Sequence, residues 1–557
     1  MKNNAFVKGA IILIIFNLIG KVVGAVYRIP LAKIVGSVGM GQYQLIFPLY
    51  CLILTVSTSG IPVAISKMVA EFNGQKRFFE SKRLLKISIL LLSLISLIGF
   101  LIVVFGAKTI ASIQGNSEIY MCYYGIAPAV LFVGVLSAFR GYFQGNLKMF
   151  PTAISGLIEQ VVKLFFGLFF ANKFLIYGVE YAVFGALLGV SISEFCAFLY
   201  LLVVYLFHAN KKTIEKPVDC LSYKKLSRQM LSFAVPVTLG GLVAPMTSMI
   251  DSLLVVNLLI FSGFSSADAT MLLGLQSGVV EPLVNIPVIV SVSIATALLP
   301  SLSSLSAANS KKQIKSHVER AFQICLSIAI ACFICFIIFG EQILSFLYGN
   351  SFDFYELSIA VKLLFFGGVN IVFLSLVQVS SAVLQGLGHQ KYPVKTLLVG
   401  CVIKIILDVC LILVKSLNIF GAIISAGVCY FVVLVLNYKK IKKLTGASLF
   451  SSYFDVSVQA CFVCMFAYFS NLLFKMVFSE VLAMFVSGII AVVVFAVTFY
   501  VFFVQNKNAH DDLSIEQLTW KTKKLLLKWH YEFIYKKCWI EIKFVACTNG
   551  WLHRPCV

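Results

Sequence analysis

Three basic residues crowd the first apolar run of the chain: Lys21, Arg28 and Lys33. An ionised side chain inside a bilayer costs several kcal/mol unless it faces a wet cavity or a partner, so each is a candidate for function. Lys21 lies midway along the run and could reach a pyrophosphate in a central cavity. Arg28 and Lys33 lie toward its far end, where the guanidinium fork of Arg28 suits a phosphate. Snorkelling and ordinary helix-end placement are the plain alternatives for all three.

Two more intramembrane lysines have an acid one helical turn away. Glu159 precedes Lys163, and Asp408 follows Lys404, so each pair shares a helix face. Intrahelical neutralisation is the first reading of both pairs, and exchange of the acid for a substrate phosphate is the second. Asp251 and Glu281 are the acidic candidates for coupling or gating. Asp251 follows Pro236 and Pro245, while Glu281-Pro282 with Asn285 and Pro287 interrupts an apolar run. Prolines free carbonyls and bend helices there, and a carboxylate beside them could titrate or bind sodium as a cavity alternates. A satisfied interhelical hydrogen bond is the alternative, as it is for Glu194. Arg140, in Arg140-Gly141, could latch a gate by pairing with carbonyls, or could simply end its helix.

These residues need scaffolding, and the hydropathy supplies it. With 60% hydrophobic and 12% charged residues over 557 positions, most of the chain must be solvated by lipid. Runs of about 20 Leu, Ile, Val and Phe residues fit helices rather than the alternating strands of a membrane barrel. Fourteen spans are expected near 9–27, 42–65, 84–106, 120–142, 152–171, 179–206, 229–256, 270–300, 320–340, 358–385, 393–414, 417–438, 455–475 and 478–504.

The series is duplicated. Gly106, Gly115, Asn116 and Ser117 recur as Gly340, Gly349, Asn350 and Ser351; Gln144-Gly145 recurs as Gln385-Gly386, Lys163 as Lys404, and Phe184-Gly185-Ala186 as Phe420-Gly421-Ala422. Six spans per copy is even, so the copies run parallel. The expected fold is an all-α polytopic membrane protein with two six-helix pseudo-repeats around a central cavity and an extra C-terminal helix pair. Its expected parts are 1–206 (N-lobe), 207–228 (basic linker), 229–438 (C-lobe), 439–504 (extra pair) and 505–557 (basic tail). Trp520 to Phe544 in that tail interleave apolar residues with lysines, as an amphipathic surface helix would. Gly36 to Gly41 and Ser59 to Pro62 are candidate hinges or close-packing points.

Charge sets the expected orientation. Loops after even-numbered spans carry roughly 24 Lys and Arg residues against roughly 6 on the other side, which predicts cytoplasmic termini in a bacterial plasma membrane. The net charge of +22 is then positive-inside bias and attraction to anionic lipid, with no nucleic-acid partner. Lys2 and Lys8 before an apolar run resemble a signal peptide, but Lys21 and the lack of a small-residue cleavage site predict an uncleaved span. The cysteines are scattered through apolar runs; Cys461 and Cys464 read as an isolated pair, and neither metal nor disulfide framework is expected. No phosphate loop, zinc motif or Ser/His/Asp constellation occurs, so an enzyme, a cofactor and an ATP-driven pump are disfavoured.

Several segments carry a family resemblance: Tyr27-Arg28-Ile29-Pro30-Leu31-Ala32; Gly41-Gln42-Tyr43-Gln44 with Pro48-Leu49-Tyr50; Ser57 to Lys67; Phe139-Arg140-Gly141-Tyr142-Phe143-Gln144-Gly145; Leu384 to His389; and Pro393-Val394-Lys395. Over residues 5 to 505 the chain resembles the stage V sporulation protein B group of the multidrug/oligosaccharidyl-lipid/polysaccharide flippase superfamily, which includes MurJ-type lipid II flippases. The resemblance implies export of a lipid-linked saccharide for envelope or spore-cortex peptidoglycan, without direct use of ATP. Lys21, Arg28, Lys33, Lys163 and Lys404 are then the head-group candidates. Asp251, Glu281, Glu159, Asp408 and Arg140 are the coupling or gating candidates, with protons or sodium as the ion. Membrane lipids and envelope synthases are the remaining expected partners. A cation-coupled drug antiporter and a non-transporting scaffold stay open as alternatives.

Overall fold

The computed structural model describes residues 2–209, 222–308, 310–448 and 453–501. The expected tail helix and most of the basic linker lie outside these residues. So does the side chain of Lys21, although its backbone belongs to the first helix.

Every expected span coincides with helix, and the described residues contain no strand. The first half comprises α1 (Lys2–Thr58), α2 (Gly60–Gly74), α3 (Phe78–Ile113), α4 (Tyr120–Gly145), α5 (Met149–Phe174) and α6 (Val179–Ala209). The second comprises α7 (Tyr223–Gly241), α8 (Val243–Phe261), α9 (Ser266–Leu273), a π-helical turn (Gly274–Val280), α10 (Glu281–Ala307), α11 (Lys311–Tyr348), α12 (Phe354–Gly386), α13 (Lys391–Ile412) and α14 (Ile419–Thr445). The extra pair is α15 (Tyr453–Lys475) and α16 (Glu480–Phe499). Eleven helices of the described residues are long and apolar enough to cross a membrane. Helix α13 is long enough but carries Lys395, Lys404 and Asp408 along its length.

Span boundaries differ from the sequence reading where glycine and proline act. The first two spans form one helix, bent at Gly36, whose φ of 69° and ψ of −174° lie where only glycine sits without strain. That second span breaks at Ser59, and the seventh breaks at Leu242, between Pro236 and Pro245. The eighth passes through the π turn directly before Glu281-Pro282.

The described chain forms two compact units. One combines Met1–Ile289, Leu347–Gly367 and His389–Val433; the other combines Val290–Phe346, Gly368–Gly388 and Leu434–Val557. The boundaries between these units run through α10, α11, α12 and α14.

Within the first unit, α4 and α5 both pack along α6, α3 along α4, and α1 along α5. Small residues permit the approach: a Cβ on Gly125 would come within 2.7 Å of the Phe184 carbonyl oxygen. The same unit joins the second half of α1 to α8, α9 and the π turn at the end away from the Lys/Arg-rich loops. There Asn116 Nδ2 donates to Thr270 Oγ1 at 3.2 Å, Ser266 Oγ to the Gly115 carbonyl at 2.7 Å, and Asn257 Nδ2 to the Ile113 carbonyl at 2.7 Å. Ser37 Oγ also donates to Glu356 at the start of α12. At the basic end α7 packs on α2 and α3, with Arg83 3.6 Å from the Tyr223 ring and Lys67 4.4 Å from Phe233. In the second unit Phe339 of α11 packs with Val463 and Ala467 of α15 and Met484 and Ala491 of α16, so the extra pair has an anchor of its own.

Candidate functional site

On the first-half helices, α1 and α5 face each other across a Gly20-x-x-x-Gly24 step. A Cβ on Gly24 would lie 3.0 Å from Gln160 Oε1, so the two glycines make room for the Gln160 side chain. Gln160 in turn accepts from Lys163 Nζ at 2.6 Å and donates to Glu159 at 3.0 Å. Glu159 pairs with Arg140 of α4 at 3.0 Å, and Arg140 Nε donates to Ser155 at 3.0 Å. The intrahelical Glu159–Lys163 pair is therefore replaced by an interhelical one. The reason is geometric: Arg140 offers a planar fork on the facing helix, while Gln160 satisfies the ammonium. Among the described residues Arg140 ties α4 to α5.

Lys163 and Arg28 consequently have no ion-pair partner among the described residues. They are half-buried and within electrostatic range of each other, with Glu159 and Glu194 also in range of Lys163, and Tyr27, Tyr43 and Cys51 nearby. Arg28 makes one hydrogen bond, to the Ser277 carbonyl at 3.5 Å, and Gln44 donates to the same carbonyl. That acceptor exists because Ser277 sits in the π turn, where the backbone register frees it. Lys33 is exposed farther along α1. Glu194 of α6 is buried and accepts from Tyr50 at 3.0 Å, leaving Oε2 without a partner.

A second cluster joins α8, α13 and α14. Lys404 Nζ donates to Asp251 of α8 and to Asp408, one turn along its own helix, at 2.8 Å. Ser425 of α14 donates to the other Asp408 oxygen. Lys404 is 6% exposed and Asp408 fully buried, whereas the Asp251 side chain is 30% exposed. The Asp408–Lys404 pairing follows from i,i+4 spacing; recruitment of Asp251 does not. Lys404 is thereby committed to carboxylates and is not placed like Lys163. Glu281 lies within electrostatic range of Asp251, Lys404 and Arg28, makes a 3.4 Å hydrogen bond with Ser277 Oγ, and has no ion pair among the described residues.

Sequence reasoning missed Gln160, Ser277, Gln44 and Ser425. The Gly20-x-x-x-Gly24 spacing is a signal that could have pointed to a close partner for α1, but nothing in the sequence announces a π turn. It also missed that Cys332 and Cys335 form a second pair within electrostatic range of Cys464. No disulfide joins the cysteines among the described residues, and no group of three or more His, Cys, Asp or Glu side chains there is placed to hold a metal.

An all-helical, internally duplicated bundle with ionisable clusters inside its spans is a multi-pass membrane protein. Comparison with known proteins sharpens this. The family model described as "Polysaccharide biosynthesis protein" matches residues 6–306, and the MatE model matches 276–410. "Lipid II flippase MurJ" of Bacillus subtilis (strain 168) is 29% identical over 469 residues, covering 80% of this chain and 84% of that protein. "Stage V sporulation protein B" of the same organism is 28% identical over 472 residues, covering 84% and 89%. A solved structure of "Lipid II flippase MurJ, inward closed conformation" shares the fold with a TM-score of 0.69 at 16% identity, covering 88% of this chain and 99% of that one. The chain belongs to the polysaccharide biosynthesis protein family, and the likeness to the sporulation-protein and MurJ group read from its sequence is shown.

Proposed function

We propose that this chain is a flippase that moves a lipid-linked saccharide across a bacterial plasma membrane by alternating access, with a diphosphate-bearing precursor such as lipid II as its substrate class. The observation that carries the reading is the pairing of Arg28 and Lys163: two intramembrane cations close to each other with no acid at ion-pair distance among the described residues. Such a pair calls for an anion, and a diphosphate offers enough oxygens to satisfy both. Lys33 lies farther along the same helix and is exposed. The names of the relatives point to the same substrate class.

The lipid tail stays in the bilayer while the head group crosses. With both termini cytoplasmic, an inside-negative potential favours export by about 2.3 kcal/mol per 100 mV for each negative charge moved. Glu281, with no ion pair among the described residues and within range of Arg28, is the carboxylate suited to exchange a proton during the return. Glu159 and Arg140 hold the α4–α5 wall of the cation site in place.

The test is translocation of labelled lipid II in proteoliposomes, run beside efflux of an organic cation. Arg28→Ala and Lys163→Ala, each checked for normal insertion, should abolish lipid translocation. Wild-type rates in both variants would remove the proposed anion site. Cation efflux without lipid movement would assign the chain to drug antiport instead.

A further inference from the structure

The cluster at Asp251, Lys404, Asp408 and Ser425 has the layout of a small cation site in which the cation is part of the protein. Two carboxylates on different helices converge on one point, a hydroxyl supports one of them, and the point is occupied by Lys404 Nζ. An ammonium has three donors and no acceptor, and is close in size to a hydrated-shell-free alkali ion. It differs in one respect: its stem anchors it to α13.

We propose that Lys404 is a built-in cation that permanently fills the Asp251–Asp408 cage, so that α8 is tied to α13 and α14 without any free metal ion. A second cation beside the ammonium would be repelled at close range in a low-dielectric site. The oxygens facing inward are already engaged: Asp408 by Lys404 through one oxygen and by Ser425 through the other, and Asp251 by Lys404. The nearby titratable groups are Glu281, Tyr430 and Cys429, none of which enters the cage as a hydrogen-bond partner among those described. Removal of the lysine side chain would leave the buried Asp408 and the partly buried Asp251 with no counter-charge. That is a vacancy for a monovalent cation. The inference concerns ion requirement and holds whichever solute crosses the membrane.

The experiment is thermal unfolding of the purified full chain in detergent with sodium, potassium, lithium or choline chloride at equal ionic strength, at a pH well above the ordinary carboxylate range. Wild type and Lys404→Arg should melt alike in all four salts. Lys404→Ala should melt lower in choline and regain stability saturably with one or more of the alkali cations. A saturable sodium-specific rise in wild type would overturn the proposal. So would a folded Lys404→Ala protein that responds equally to alkali cations and choline. If Lys404→Ala does not fold, wild type and Lys404→Arg still decide, because sodium dependence in either contradicts a permanently filled cage. No transport substrate is needed, so failure here is distinct from failure of the flippase reading.

Discussion

The seam between α1 and α9 should be opened by a single methyl group. A Cβ added to Gly41 would run into the Thr270 carbonyl oxygen and would lie 2.7 Å from the carbon of that carbonyl and 2.8 Å from Thr270 Cγ2. Non-bonded carbons need about 3.5–4.0 Å, so Gly41→Ala forces the two helices roughly 1 Å apart. Neither neighbour is the loose end of a long side chain; one is backbone, and a Cβ added to Gly274 in the adjoining π turn would likewise lie 2.6 Å from the Gly41 nitrogen. Overpacking of this kind costs about 1–3 kcal/mol. The gain in helix propensity from replacing glycine acts equally on closed and open seams, so it cancels from their balance. Local opening should rise by the corresponding factor, about 5- to 160-fold. Amide hydrogen exchange reads this directly in peptides spanning 37–45 and 266–273, with peptides from α15 and α16 as unaffected controls. Unchanged exchange in both seam peptides of a normally inserted Gly41→Ala protein would refute the claim that this contact has no clearance.

Two further outcomes test the local arguments. Gly36 and Gly156 both have open space where a Cβ would go, but Gly36 has φ of 69° while Gly156 is helical. Gly36→Ala should therefore lose about 1–3 kcal/mol and Gly156→Ala gain up to about 1 kcal/mol, measured by denaturation in detergent; equal effects would show that the bend at Gly36 is not backbone-imposed. Arg140→Gln should lower the melting temperature by the equivalent of about 1–3 kcal/mol, since it strands a half-buried Glu159, and adding Glu159→Gln should restore most of the loss. Wild-type melting of the single variant would mean that the α4–α5 tie contributes nothing.

The sequence by itself determined that this chain is an all-helical, duplicated membrane protein, because hydropathy and repeat spacing are properties of each segment alone. Apolar runs of this length require helical crossings wherever they pack, since backbone groups in lipid must be bonded within their own segment. It also singled out the charged residues within the spans, because their cost in lipid is independent of neighbours. Partners were another matter. Glu159 and Lys163 share a helix face, yet the acid turned to Arg140 and the lysine to Gln160. Lys404 kept its helical neighbour Asp408 but added Asp251, 153 positions away in the chain. The π turn that presents the Ser277 carbonyl to Arg28, the fusion of the first two spans through Gly36, and the division into compact units that cut across helices were likewise settled by packing. Which of several chemically suitable partners a buried charge takes depends on interhelical distances of a few tenths of an ångström. Such distances are fixed by how the glycines of neighbouring helices let them approach, and by no single helix.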